Sequence, residues 1–270
     1  MLKKLVLLAF LFVFLSGLIG SYLIYRGYQA RRAERIARLN QQAAEITIRT
    51  TEGWNLKQIA EYFEKENLFA SEEFINALNA FDETAYPLLK RPANRSLEGY
   101  LFPDTYRIPK TATPNDVIKK ILDNFVARLK SIGVTDPNQT YNGLTLHEIL
   151  TLASIIEEES GRDQQERDLI ASVFYNRLRI GQALESDATV NFVTGKDTPG
   201  ASYADLQVDS PYNTYKYPGL PPGPISNPSL SSIQAALKPA SSDYFYFLHK
   251  QPSGEVEFSR TFDEHKSKRQ

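Results

Sequence analysis

Glu157, Glu158 and Glu159 stand side by side at the end of a long apolar run, TLHEILTLASIIEEES, residues 145–160. Three adjacent carboxyls have the chemistry to give and take protons, and their placement on a helix decides which is suited to it. The spacing of Leu146, Ile149, Leu150, Ala153 and Ile156 predicts a helix over 145–160, followed by Gly161. Projected back along that helix, Glu158 lies above Ser154, Thr151 and His147, a polar line expected to face water. Glu157 lies above Ala153, Leu150 and Leu146, and Glu159 above Ile155 and Leu152, so both point toward apolar surface. A carboxyl there is desolvated and also meets the negative end of the helix dipole, and both effects favour the neutral acid. Glu157 and Glu159 are therefore both candidate general acids, able to protonate a leaving oxygen.

A second group of residues suits binding. Tyr212, Asn213, Thr214 and Tyr215, with Tyr217, Trp54, Tyr100, Phe102 and Tyr106, put rings and amides into segments read as loops. Rings of this kind stack on sugar faces while neighbouring polar groups hold hydroxyls, so the composition suits a saccharide cleft. Asn176-Arg177 and Asp187-Ala188-Thr189 add polar groups. Other chemistries lack their residues. No GxSxG, SxxK, P-loop or dinucleotide fingerprint is present, and the absence of cysteine removes thiol nucleophiles, disulfides and Cys-ligated metals. The three histidines, His147, His249 and His265, lie far apart, and His147-Glu148 lacks the second zinc-protease histidine because position 151 is Thr151. No metal and no cofactor is expected.

The elements that must position these residues follow from charge and periodicity. Residues 1–40 carry seven basic residues against Glu34, a net +6, while the remaining 24 basic and 31 acidic residues give −7. A body of that charge is a poor partner for nucleic acid. Leu5 to Tyr25 contains no charge, and 21 residues at about 1.5 Å each come to roughly 30 Å, which predicts a transmembrane helix after a short tail, residues 1–4. Residues 26–44 read as a juxtamembrane helical stalk. Ile46, Ile48 and Thr50 then alternate like a strand, and two short helices follow, one through Leu56, Ile59, Ala60 and Phe63 and one over 72–80. This small module, 45–95, is similar to the LysM-like element of some wall enzymes, the alternative being a small α+β cap that only packs against the main domain. Residues 97–109 form an aromatic, proline-punctuated stretch, and 115–132 an amphipathic helix. A helix opened by Asp163 and Glu166 and stopped by Gly181 comes next. Six prolines between 211 and 228 predict a long fixed loop, Asn227-Pro228 reads as a helix start, and residues 244–248 and 256–261 bracket a hairpin. The expected fold class is α+β, with a mainly helical domain over 96–270.

LEGYLFPDTY (97–106), LASIIEEES (152–160), ASVFYNRLRIG (171–181), DATV (187–190), YNTY (212–215) and GLPPGPISNP (219–228) together resemble the YceG-like (MltG-like) endolytic murein transglycosylases. The resemblance covers about residues 45 to 262, with Ala188 standing where relatives carry proline. It implies a lyase in a bacterial inner membrane, single-pass with its N-terminus cytoplasmic and its catalytic domain facing the periplasm or wall, beside the penicillin-binding (glycan synthase) machinery. The implied reaction cuts the β-1,4 bond between N-acetylmuramic acid and N-acetylglucosamine in peptidoglycan strands without water, leaving a 1,6-anhydro end. That orientation overrides the literal count of positive charges, which are more numerous after the span than before it. In the family's Glu-x-Glu-[Ser/Thr] block the second glutamate is catalytic, which selects Glu159. Substrate contacts are then expected from Ser160, Asn176, Arg177, Asp187, Thr189, Tyr212, Asn213, Thr214, Tyr215, Glu98, Tyr100 and Asp104. The alternatives are a hydrolytic muramidase and a non-catalytic wall-binding scaffold.

Overall fold

A computed structural model describes residues 2–92, 96–161, 163–196, 200–250 and 253–269, with the side chains of 2–14, 16 and 39–43 outside the description. Two compact units are present, one made of residues 1–47 and 107–111 and the other of 48–106 and 112–270. The first contains helix α1 (Leu2–Ala43), a single helix through both the expected span and the expected stalk. Leu18, Ile19, Leu23 and Ile24 are exposed along it. Among the described residues no helix is long and apolar enough to cross a membrane, and the side chains of 5–14 and 16 in the expected span lie outside the described residues.

Strand β1 (Glu45–Arg49) pairs with β2 (Thr105–Pro109). Residues 105–109 end the aromatic, proline-punctuated stretch, and the alternating burial of Tyr106 and Ile108 there is that of a strand with one face covered. The partner of β1 therefore lies beyond residue 95, outside the expected 45–95 module. The helices α2 (Leu56–Lys65) and α3 (Ser71–Ala80) pack on one another through Phe63 and Phe74, whose rings meet edge-on at 4.8 Å. Asn55 and Gln58 form a capping box that fixes where α2 begins. Helix α3 also packs on α4 (Pro114–Ser131), so these short helices belong to the larger unit.

The centre of that unit is α5 (Leu146–Glu159). Every residue from Ile149 to Ile156 is buried, with α6 (Gln164–Ile180), α7 (Asp187–Thr194) and α8 (Leu230–Leu237) packed around it. Each buried Leu or Ile contributes about 1.5–3 kcal/mol relative to exposure, which makes α5 the principal apolar element of the core. The polar line His147, Thr151 and Ser154 does not face water. The proline loop covers it: Ile225 N–H donates to Ser154 Oγ at 3.0 Å, and His147 Nε2 meets Pro222 O at 3.1 Å. Gly99 packs under the same loop at φ +84°, where a Cβ would lie 2.5 Å from Pro224.

Asn227 does not cap a helix. Its Nδ2 donates to Trp54 O and Glu98 Oε1, and its Oδ1 accepts from Leu101 N–H, so the side chain ties three segments together. The cap of α8 is Ser229, two residues later. The hairpin is present as β3 (Tyr246–His249) and β4 (Val256–Ser259), antiparallel with Phe247 opposite Phe258, and a short helix α9 (Phe262–Lys268) follows.

Candidate active site

A cleft of about 1000 Å³ runs through the larger unit. One wall comes from the turn and first residues of α2, including Gly53, Asn55 and Lys57, with Ile75 and Leu78 of α3. The other comes from Asp187, Asn191 and Phe192 of α7 and His249 at the end of β3. Glu98, Glu158, Glu159 and Ser160 line it between these walls.

The three adjacent glutamates have three different surroundings. Glu157 turns away from the cleft and accepts both the backbone N–H (2.9 Å) and the hydroxyl (2.6 Å) of Ser229, at the start of α8. Glu158 reaches solvent, but inside the cleft, and closely approaches Gly53, whose Cβ would lie 3.0 Å from Oε1. Gly53 adopts φ +79°, a backbone that disfavours a side chain, and a Cβ there would also make the Glu158 carboxyl shift. Desolvation by the surrounding protein pushes Glu158 up to about 7, against a hydrogen bond from Ser226 and assisted by the charges of Glu157 and Glu159. Glu159, the last residue of α5, is half-buried, and its Oε1 accepts a 2.6 Å hydrogen bond from the Ser186 hydroxyl. Burial raises its pKa, the Ser186 bond and the field of His249 oppose that rise, and Asp187 adds to it.

Glu98 is buried beside the cleft with its carboxyl at the N-terminus of α2, accepting Leu56 N–H at 3.1 Å and Asn227 Nδ2–H at 3.3 Å. Desolvation nevertheless pushes it up to about 8, with Glu158 contributing in the same direction. The cleft thus holds several carboxyls biased toward their neutral form, the state needed to protonate a leaving oxygen.

The other residues expected at the site separate into three groups. Ser160 and Asp187 line the cleft, and the buried Ser160 hydroxyl meets no partner among the described residues. Tyr215 donates to Asp187 Oδ1 at 2.7 Å, and Tyr212 packs its ring on Phe192 at 5.1 Å, so both support the α7 wall. Thr189, Asn213 and Thr214 are buried behind it: Thr189 and Thr214 bond each other at 2.9 Å, and Asn213 Nδ2 holds the carbonyls of Leu206 and Val208.

Asn176 and Arg177 do not line the cleft. Asn176 Nδ2 donates to the carbonyls of Ser242 and Tyr244, and Arg177 donates to those of Phe245 (2.7 Å) and Leu184 (2.6 Å). Buried carbonyls demand such partners, so both side chains fix the path of the chain. Tyr100 is fully buried against Phe125 with its hydroxyl 2.9 Å from His147 Nδ1. Asp104 pairs with Arg128 at 2.7 Å, away from the cleft. Phe102 and Tyr106 are buried, and Trp54 packs on Tyr62, so these aromatics are packing groups rather than a stacking surface. The places of Phe192, His249 and the α2 residues on the cleft, and of Ser186 beside Glu159, are not expected from the sequence. Ser186 adjoins the quoted DATV block, but only the tertiary contact with Glu159 distinguishes it.

These features define a class: a largely helical α+β domain with an open cleft in which carboxyls are held toward their neutral form. The chain belongs to the YceG-like family, whose model matches residues 16–270. It is 41% identical over 241 residues to a Bacillus subtilis (strain 168) protein named endolytic murein transglycosylase, covering 83% of this chain and 63% of the relative. A Streptococcus pneumoniae (strain R6) protein of the same name is 34% identical over 248 residues, covering 83% of this chain and 44% of the relative. The chain thus spans less than two thirds of the length of either. A crystal structure of the yceG-like protein lmo1499 from Listeria monocytogenes matches with a TM-score of 0.70 at 35% identity, covering 82% of this chain and 75% of that one.

Proposed function

We propose that this protein is a membrane-anchored lytic transglycosylase of peptidoglycan, with Glu159 as its catalytic residue. The observation that carries the reading is Glu159 itself: a carboxyl at the C-terminal end of a buried helix, desolvated, in a cleft of about 1000 Å³. The names of the two relatives support the substrate class.

In this reading the neutral Glu159 gives its proton to the glycosidic oxygen as the bond from the muramic acid anomeric carbon breaks. The resulting carboxylate then takes the proton of the muramic acid 6-hydroxyl. The 6-oxygen closes on the anomeric carbon, giving a 1,6-anhydro end and returning Glu159 to its neutral form. Ser160 and Asp187 offer the substrate a hydroxyl and a carboxylate beside the acid.

Hydrolysis is the second reading, because Glu158 provides another carboxyl in the same cleft. A glycosidase needs a second carboxyl ionised and free to act as base or nucleophile; Glu158 is pushed up to about 7, and Asp187 Oδ1 is already held by the Tyr215 hydroxyl at 2.7 Å, which favours the substrate's own hydroxyl as nucleophile. Peptidoglycan digested by the full chain in ¹⁸O-labelled water separates the two. Anhydro ends without label are expected, and labelled reducing ends would contradict the proposal.

The apolar side chains exposed from Leu15 to Ile24 on α1 support a membrane anchor, since a row of this kind is costly in water. A substrate found only outside the cell places residue 3 inside and residue 200 outside. A phosphatase fused after Gln270 should therefore be active, and an inactive fusion would reverse the topology.

A further inference from the structure

Ser186 occupies the N-cap position of α7 with the extended backbone of a capping residue, φ −94° and ψ 122°. A serine there ordinarily accepts a hydrogen bond from the first turn of its helix. This one makes no such bond. Its hydroxyl points to Glu159 instead, at 2.6 Å from Oε1, and among the described residues it is the hydrogen-bond donor to that carboxyl.

The surroundings of Ser186 fix its place beside Glu159. Thr189 Oγ–H donates to Ser186 O at 2.7 Å, so in the 2.9 Å contact between Thr189 and Thr214 the proton must come from Thr214. Thr214 Oγ in turn accepts Ser186 N–H at 3.1 Å. Both backbone groups of Ser186 are thereby held by buried hydroxyls, which fixes the backbone from which its side chain reaches Glu159. The turn before it is equally constrained. Glu185 is held at φ +53°, a left-handed conformation that a non-glycine residue rarely adopts, with its N–H on Thr214 O and the carbonyl of Leu184 on Arg177. A helix cap forgone and a strained turn both deliver one hydroxyl to one carboxyl oxygen.

We propose that Ser186 is the positioning residue of the acid: by donating to Oε1 of Glu159 it leaves Oε2 as the oxygen that carries the transferable proton, and fixes the direction in which that proton faces the cleft. The inference rests on the reading of Glu159 as the acid. It also assigns a role to Arg177, which stabilises the turn carrying Ser186 and acts on the site at one remove.

The test is the pH dependence of kcat/KM for the full chain in detergent micelles acting on uncross-linked glycan strands. The variants are Ser186→Ala, Ser186→Thr and Glu159→Gln. Because Ser186 makes no capping bond, Ser186→Ala should fold with an unchanged circular dichroism spectrum. Misorientation of the acid should lower kcat about 10- to 100-fold with little change in KM. Loss of a donor to the carboxylate also disfavours its charged form, so the alkaline limb, where Glu159 loses its proton, should move to higher pH. Ser186→Thr restores a hydroxyl and should bring the limb back. A purely structural role would lower the rate equally at every pH. An unmoved limb in Ser186→Ala, or a rate within twofold of wild type, overturns the inference while an inactive Glu159→Gln leaves the Glu159 reading standing. An active Glu159→Gln overturns both.

Discussion

Ser229 donates both its backbone N–H and its hydroxyl to a single oxygen of Glu157, and this contact separates Glu157 from the two glutamates that follow it. The carboxylate completes the cap of α8 and meets the positive end of that helix, so its function is to join α5 to α8. Glu157→Gln should therefore lower stability by about 1 kcal/mol through the lost charge, while activity per folded molecule is retained. Chemical denaturation, with activity measured at matched folded concentration, checks this. A stable but inactive Glu157→Gln would move the acid two residues back.

Gly99 and Gly143 have nearly the same backbone, φ +84° and +85°, but different space. A Cβ on Gly99 would lie 2.5 Å from Pro224, whereas nothing lies within 4 Å of one on Gly143. Gly143→Ala should cost only the backbone term, about 1–2 kcal/mol. Gly99→Ala should cost more and loosen the proline loop over α5. Melting temperatures of the two variants, with activity of Gly99→Ala, measure the difference, and equal losses would show that the loop yields freely.

Glu98 makes stability depend on pH with a definite sign. Its folded pKa, about 8, lies above the unfolded value of 4.5, so between those values the folded state binds the extra proton. Stability is therefore lost as pH rises from about 4.5 to 8, and Glu158, pushed up to about 7, acts in the same direction. Glu98→Gln, which resembles the neutral acid, should flatten the fall in melting temperature between pH 5 and pH 8. An unchanged slope would show that Glu98 remains ionised through its contacts with Leu56 and Asn227.

What the sequence made legible is what depends on near neighbours. The extents of α3, α4, α5 and α6 follow from apolar spacing and from local signals such as Asp163 and Gly181, each acting within a few residues. The line His147, Thr151, Ser154 was read as wet because a helical projection cannot know that Pro222 and Ile225, some seventy residues away, cover it. Asn227 has the residue type of a cap but acts as a tether for the same reason. At the site, the desolvation of Glu159 was implicit in its position above Ile155 and Leu152. The arrival of Ser186 was not, since it depends on a turn held by Arg177 and Thr214.

The central claim is that Glu159 alone among the three adjacent glutamates performs the proton transfers. Glutamine keeps the shape of the side chain but can neither protonate the leaving oxygen nor take the proton of the 6-hydroxyl, so both half-steps fail together. General acid–base catalysis contributes about 10² to 10⁴ in rate, enough to bring turnover on an insoluble polymer below detection. The most direct measurement is mass-spectrometric quantitation of anhydromuropeptides released from purified peptidoglycan by the full chain and by Glu157→Gln, Glu158→Gln and Glu159→Gln at equal folded concentration. The account predicts release by wild type and by the first two variants and none from Glu159→Gln, whereas near wild-type release from Glu159→Gln would contradict it.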